Sequence, residues 1–422
     1  MERALLVTIE VDTEKDSWRF EDASLELEEL VASCGAEVVD TISCKRDRPT
    51  PNLFIGKGKA EELNLISFEL GIDTVVFSHD LSGTQQRNLE EVIGKKTIDR
   101  SQLILDIFAQ HAKTPEGKMQ VELAQLQYLM PRLVGKGVML SRLGGGIGTR
   151  GPGEQKLEVD RRRIRQKIDR LKQDLKQITR QRDTMRKQRK LRAIPSVALV
   201  GYTNAGKSTL LNALTDAGQV VADSLFTTLD PLAKQLQLPN GENIIISDTV
   251  GFLHNLPHHL IEAFKATLEE VVQADVLIHV VDASNALVEE HYKAVFQVLK
   301  ELKVEDKPII TVLNKTDLVS DATWLARMSR DFNNAVALSA KHRQNLESLL
   351  KKIEGHFQSR MVILELLLPH KRMDLVDLFY REGQVQEIEY QQDGIKIKVS
   401  IPKTIERNIL VNKEIKIINE NN

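Results

Sequence analysis

Gly201 and the residues that follow it, Tyr202, Thr203, Asn204, Ala205, Gly206, Lys207 and Ser208, have the types and spacing of a phosphate-binding loop. The glycines let the backbone turn tightly, so that successive N–H groups converge on α- and β-phosphate oxygens. Lys207 can reach the β- and γ-oxygens, and the Ser208 hydroxyl can hold Mg²⁺, with Thr209 next in line. By itself the pattern also fits an accidental strand–turn–helix. Further groups with matching chemistry follow in the order a nucleotide site requires. Asp248, Thr249, Val250 and Gly251 come after the apolar run Ile244–Ile246. Asp248 can bind Mg²⁺ through water, and the Gly251 amide can meet a γ-phosphate. Thr228 offers the metal a hydroxyl from the segment Phe226, Thr227, Thr228, Leu229 and Asp230, read as a mobile loop.

Base recognition has its own residues. Asn314, Lys315, Thr316 and Asp317 follow the apolar run Ile309–Leu313. The Asp317 carboxylate can accept hydrogen bonds from guanine N1–H and the 2-amino group, neither of which adenine offers. Ser339, Ala340 and Lys341 supply a backbone N–H for the guanine 6-oxygen. The ordered set implies binding and hydrolysis of GTP, with Lys207, Thr228 and Gly251 acting on the transferred phosphoryl group. Where many such chains carry a water-orienting glutamine, this one has Phe252, whose ring cannot hydrogen-bond an attacking water. Asn204 admits two roles that the residues leave open: holding K⁺ near the phosphates, or stabilising the loop turn.

These residues need elements to hold them. The run Val197–Val200 before the loop reads as a buried strand, Leu210–Leu214 after it as a helix, and Val276–Val281 as another strand. They place a nucleotide domain at about 194–357 within a chain of 422 residues, long enough for several domains. An α/β domain is expected over 1–113, with strands at Ala4–Ile9, Val38–Ile42 and Thr74–Phe77 and helices at Leu25–Val31 and Gln85–Ile93. The lysines of Phe54-Ile55-Gly56-Lys57-Gly58-Lys59 suit either a phosphate contact or an ordinary surface turn. His79 and His111 lack metal-spaced partners and read as solvated or core side chains, and His258 and His259 as surface ones.

Between these domains, over 114–193, lies an expected antiparallel helical hairpin. Met119, Leu123, Leu126, Met130 and Leu133 recur every three or four residues, as do Leu157, Ile164, Ile168, Leu171, Leu175, Ile178 and Met185. Arg161 and Arg182 interrupt the second stripe. Each arm can extend about 40 Å at the helical rise, with Pro131 kinking or ending the first. The second arm carries Arg161, Arg162, Arg163, Arg165, Lys167, Arg170, Lys172, Lys176, Arg180, Arg182, Arg186, Lys187, Arg189, Lys190 and Arg192, against Asp160, Asp169, Asp174 and Asp183. A formal net charge of -2 therefore hides a one-sided cationic helix, which points to nucleic-acid backbone rather than to a merely solvated face. The glycine-rich tip, about 135–153, contains Gly146-Ile147-Gly148-Thr149-Arg150-Gly151. No strand precedes this G-x-G-x-x-G, so it reads as a flexible tip bearing Arg142 and Arg150 and not as a dinucleotide site.

The remaining chain, 358–422, reads as a small α+β unit. Strands are expected at Val362–Leu368, Val385–Tyr390, Ile395–Ile401 and Glu414–Ile418, a helix at Leu375–Tyr380, and a hairpin turn at Asp393-Gly394. That β-α-β-β-α-β order is ferredoxin-like. Only Cys34 and Cys44 are present, no signal-peptide pattern opens the chain, and no apolar run has the length of a membrane span. A reduced, cytoplasmic monomer is expected.

The segments GYTNAGKSTL, FTTLDP, DTVGF, NKTD and LSAK, preceded by GGIGTRGPGE and the arginine-rich helix, resemble the HflX family of translation-factor-related GTPases. Leu105–Gln110 and Val121–Leu126 fit the same family, so the resemblance covers nearly the whole chain. It implies the N-terminal α/β domain with its helical hairpin, the central P-loop GTPase domain, and binding to the large ribosomal subunit through ribosomal RNA. It also implies splitting or rescue of stalled ribosomes under stress. Two other classes compete: an RNA-binding scaffold in which nucleotide is only structural, and a regulator that sequesters another protein through the hairpin.

Overall fold

The computed structural model describes residues 1–11, 20–133, 152–191, 194–215, 226, 232–254, 260, 265–332, 334–358, 361–403, 406 and 415–421. They form two compact units, the first comprising Met1–Gln181, Ala222–Asp230 and Leu253–Thr267 and the second the rest.

In the first unit, β1 (Arg3–Val11), β2 (Glu37–Arg46), β3 (Thr74–Phe77) and β4 (Lys96–Asp99) form a parallel sheet in the order β2-β1-β3-β4. Helices α1 (Phe20–Ser33), α2 (Lys57–Glu69) and α3 (Gly83–Ile93) connect the strands, as parallel pairing requires. The inner strand β1 is apolar nearly throughout, and Leu5, Val7, Val75 and Phe77 join Leu63 and Leu89 in the core. Helix α3 starts on a capping box between Ser82 and Gln85 and stops at Gly94, whose φ of 71° suits glycine. Helix α2 and strand β4 were not expected. The outward Leu65 and Phe68 blur the stripe of α2, and Lys96-Thr97-Ile98-Asp99 has a single large apolar residue. Lys57 and Lys59 sit on the first turn of α2 and pair with Glu61 and Glu62 one turn on.

After β4 come α4 (Arg100–His111) and α5 (Pro115–Arg132). Asp99, fully buried at the end of β4, accepts bonds from the Leu81 and Gln102 N–H groups, from Tyr128 Oη at 2.8 Å and from Arg132 Nη2 at 2.9 Å. Burial pushes this carboxyl up, against the pull of those donors. The network ties the C-terminus of α5 to the sheet. At 18 residues α5 spans about 27 Å, short of the expected 40 Å, because it ends one residue beyond Pro131. Its partner is α6 (Pro152–Leu191), and the expected seam is present: Leu123, Ile168 and Leu171 are buried together against Met119, Leu126, Met130, Ile164 and Leu175. Lys167 also pairs with Glu122. The glycine-rich tip to Gly151, with Arg142 and Arg150, and His258 and His259 lie outside the described residues.

The second unit holds a sheet of β5 (Ser196–Gly201), β6 (Leu232–Gln237), β7 (Asn243–Asp248), β8 (Val276–Asp282), β9 (Ile309–Asn314) and β10 (Ala335–Ala337), ordered β10-β9-β8-β5-β7-β6. All neighbours are parallel except β6 with β7. Helices α7 (Lys207–Thr215), α8 (Lys265–Gln273), α9 (Val288–Glu301), α10 (Ala322–Asp331) and α11 (Leu346–Phe357) accompany it. Val197, Leu199, Ile278, Val280, Ile310 and Val312 form a dry core with Leu210 and Ile353. The strand order changes direction beside β5, where open α/β sheets form their binding crevice at the strands' carboxyl ends.

The same unit contains an antiparallel sheet of β11 (Met361–Leu368), β12 (Gln384–Gln391), β13 (Gly394–Pro402) and β14 (Lys416–Asn421), ordered β12-β13-β11-β14, with α12 (Met373–Glu382) packed on one face. This is the expected ferredoxin-like arrangement of strands. The hairpin turn falls on Gln392-Asp393, one residue earlier than expected, because Gly394 already pairs with Gln391. The last strand also begins two residues later than expected; of the second helix only Lys403 and Glu406 are among the described residues.

Candidate nucleotide-binding site

The loop from Gly201 to Gly206 joins the carboxyl end of β5 to α7, the context its chemistry needs. Gly206 adopts φ 92°, and a Cβ there would lie 2.2 Å from Asn314 Nδ2. Asn314 braces two loops at once: its amide donates to the Ala205 carbonyl at 2.9 Å and accepts from the Ala340 N–H at 3.0 Å. Its side chain therefore positions the site from within the protein. A second brace runs to the end of β7. Thr203 N–H donates to the Phe252 carbonyl and Phe252 N–H to that of Gly201, at 2.9 and 3.1 Å.

Lys207 is buried at the first turn of α7 and folds back on the loop, donating to the Gly201 and Tyr202 carbonyls at 3.1 and 2.7 Å. Burial pulls its ammonium down to about 8, partly countered by Asp248. Phosphate oxygens would replace those carbonyls and restore a firm positive charge. Ser208 Oγ donates to Asp248 Oδ2 at 2.6 Å, so two hard oxygen donors converge below the loop, a donor set that fits Mg²⁺. Thr249 is buried and donates to the Leu199 carbonyl, and Val250 is core, so both support the strand end. Thr209 is half-buried beside Ser208, while Asn204 stands exposed on the loop with φ 58°.

On the base side, Asp317 lies in a 3₁₀ turn, Thr316–Leu318, entered through Lys315 at φ 60°. Ser339 Oγ donates to Asp317 Oδ1 at 2.5 Å, and Lys315 pairs with Asp282 at 2.8 Å. Ser339 and Ala340 are buried, while Lys341 is exposed. The second unit thus brings together the Gly201–Thr209, Asp248–Gly251, Asn314–Asp317 and Ser339–Lys341 segments. Thr227, Thr228, Leu229 and Asp230 lie outside the described residues. Phe226 belongs to the first unit, where its buried ring lies edge-on to Phe108 at 4.4 Å.

Three features carried no signal in the sequence. The Tyr202 ring stacks on His291 at 3.8 Å and 7°. His279 is buried beside the Tyr292 and Phe296 rings, and burial, with Lys207 second, pulls its imidazole down to about 3, leaving it neutral. Phe252, expected only to leave the water unheld, is fully buried. Truncating it to Ala would cost about 3–5 kcal/mol beside the phosphate loop, so a loss of activity in such a variant would report lost packing as well as chemistry. Gly251 gives a cleaner probe. A Cβ there would lie 2.8 Å from Thr203 Cα and Cγ2 and 3.1 Å from Lys207 Nζ. Gly251→Ala should lower GTP hydrolysis by about 10²-fold through displacement of the loop, measured as single-turnover phosphate release with a thermal melt as the folding control.

Models of the GTP-binding GTPase N-terminal and middle regions match residues 21–109 and 111–189, and one of a 50S ribosome-binding GTPase matches 196–315. A protein named GTPase HflX from Lacrimispora saccharolytica is 46% identical over 404 residues, covering 96% of this chain and 94% of its own length. The chain belongs to the GTPase HflX family. The Escherichia coli member is 41% identical over 405 residues, covering 95% of this chain and 94% of its own. Among solved structures, a GTP-binding protein from Sulfolobus solfataricus in complex with GDP is similar at 26% identity and TM-score 0.43, covering 85% of this chain and 99% of that one. As an HflX-family chain with a P-loop GTPase domain, this protein binds GTP and hydrolyses it. No described helix is long and apolar enough to cross a membrane.

Proposed function

We propose that this GTPase associates with the large ribosomal subunit through ribosomal RNA, under control of its nucleotide state, and splits or rescues stalled ribosomes under stress. In the same proposal it works as a cytoplasmic monomer, with its parts divided at 1–113, 114–193, 194–357 and 358–422. The observation that carries it is the solvent face of α6. Arg162, Arg163, Arg165, Arg170, Lys172, Lys176 and Arg180 are all exposed while Ile168 and Leu171 turn inward. A helix that commits one face to packing and leaves these seven cations exposed, against the exposed acids Glu158 and Asp169, suits a phosphate backbone.

At the nucleotide, Lys207 leaves the loop carbonyls for the β- and γ-phosphates, and the Gly251 N–H meets the γ-phosphate. Ser208, Thr228 and Asp248 would hold Mg²⁺, which when bound offsets the charge of the phosphate oxygens. Asp317 accepts from guanine, the Ala340 segment donates to its 6-oxygen, and Asn314 keeps both loops in register. No side chain at 252 orients the water, so hydrolysis alone should be slow, about 10⁻⁴ to 10⁻² s⁻¹, and strongly raised by ribosomes. A fast rate that ribosomes leave unchanged would overturn this. The same assay run in K⁺ and in Na⁺ tests Asn204: a faster rate in K⁺ assigns it to the ion, equal rates to the loop turn.

Co-sedimentation with ribosomes in a non-hydrolysable GTP analogue and in GDP tests the main proposal. Tighter binding with the analogue is expected, whereas equal binding would indicate a scaffold. Capture of a protein without ribosomes would indicate a sequestering regulator.

A further inference from the structure

Three buried hydroxyls of the nucleotide site have protein partners. Ser208 Oγ donates to Asp248, Thr249 Oγ1 to the Leu199 carbonyl and Ser339 Oγ to Asp317, at 2.6, 2.6 and 2.5 Å. Thr203 Oγ1, in the phosphate loop itself, has none among the described residues, although Thr203 is only 6% exposed. An interior hydroxyl without a partner destabilises a fold, so its place in this loop points to a partner from outside the chain. The residue is firmly held, since its N–H donates to the Phe252 carbonyl at 2.9 Å. A Cβ on Gly251 would lie 2.8 Å from Thr203 Cα and Cγ2 and 3.1 Å from Lys207 Nζ, so the three residues share one corner of the site. Staggered rotation about χ1 places the hydroxyl where that methyl now stands, against Gly251.

We propose that the Thr203 hydroxyl is a catalytic group of GTP hydrolysis: it donates to a γ-phosphate oxygen and accepts a hydrogen bond from the attacking water. The inference rests on the reading of the Gly251 N–H as a γ-phosphate contact. A hydroxyl carries one donor and two acceptor lone pairs, so it can serve both partners at once. Its neighbours cannot stand in for it. Phe252 is an apolar ring sealed in the core, Lys207 offers donors only, and Thr249 is committed to the Leu199 carbonyl. In the reaction the water oxygen bonds the γ-phosphorus while the bond from that phosphorus to the β–γ bridging oxygen breaks. The electron pair leaves with GDP and the water proton passes to the released phosphate, so Thr203 ends as the hydroxyl it began. Its contribution is direction, since it aims the water lone pair at phosphorus. GDP lacks the γ-phosphate, so its binding does not use the group.

Thr203→Val removes the hydroxyl at nearly constant shape. Single-turnover GTP hydrolysis by the full chain, without ribosomes, should fall about tenfold, the effect of one hydrogen bond to a charged group. Affinity for a fluorescent GDP should stay within about twofold. The nucleotide-free variant should melt no lower than wild type, because an unpaired hydroxyl has gone. Thr203→Ser keeps the hydroxyl and should hydrolyse GTP close to the wild-type rate. An unchanged rate in Thr203→Val overturns the proposal, as does a rate that Thr203→Ser fails to restore. A matching loss of GDP affinity, or a lower melting temperature, would show that the hydroxyl only holds the loop, and overturns it as well. Should Thr203→Val not fold, Thr203→Ala against Thr203→Ser gives the same comparison. Gly251→Ala separates the two levels. If it lowers hydrolysis and Thr203→Val does not, the Thr203 proposal alone fails; if it leaves hydrolysis intact, the reading of the γ-phosphate corner itself fails.

Discussion

Replacing Asp317 by Asn should weaken GTP binding by about 10³-fold and create a preference for XTP. Each hydrogen bond to a charged group contributes about 1.5–3 kcal/mol, and guanine loses its pair. Keeping the Ser339 hydrogen bond would set the orientation of the new amide. Ser339 Oγ donates to Asp317 Oδ1, so the amide carbonyl occupies that side and its NH₂ takes the place of Oδ2. An NH₂ group repels the guanine donors but suits the 2-oxo group of xanthine. Competition of GDP and XDP against a fluorescent nucleotide gives the ratio directly. A variant that still prefers guanine would mean that Asn314–Asp317 does not read the base.

The basic helix has the second large effect. Changing Arg162, Arg163, Arg165 and Arg170 together to Gln should lower ribosome affinity by about a hundredfold near physiological salt. It should also flatten the slope of log affinity against log salt by about 3, since each phosphate contact contributes about 0.7–0.9. Arg161, which interrupts the apolar stripe, is left out because it is half-buried and its loss would disturb packing. Gln keeps helix propensity close to that of Arg, and Ile164, Ile168 and Leu171 remain to hold the seam. Unaltered affinity and slope in salt-titrated co-sedimentation would remove this helix from the ribosome contact. Basal GTP hydrolysis, measured without ribosomes, reports whether the nucleotide site survives the substitutions.

Much of the chain's chemistry is local and so was legible in its residues. The phosphate loop needs glycines, a lysine and a hydroxyl at set spacings between a strand and a helix, and Gly201–Ser208 supplies all of them within one turn. The hairpin seam was legible for a similar reason: helical periodicity repeats every three or four residues and names Leu123, Ile168 and Leu171 without knowledge of the fold. Elements with weak periodicity, α2 and β4, were not legible, because neighbouring elements and not their own sequence make their burial favourable.

Only the tertiary structure decided how the site is braced. Asn314 meets Ala205 across 109 positions of sequence, and Asp248 receives Ser208 across 40. Spacing cannot predict such contacts, since they depend on which strand ends the sheet order brings together. The same holds for charge. Lys207 at about 8 and His279 at about 3 owe their displaced equilibria first to burial, a property of the packed sheet and not of any residue in the motif. Phe252 and His342 make the point at single positions. The sequence determined which group each side chain carries, while the fold decided that the ring would be sealed in the core and the imidazole left exposed near a carboxylate, because solvent access and through-space distance exist only once the chain has folded.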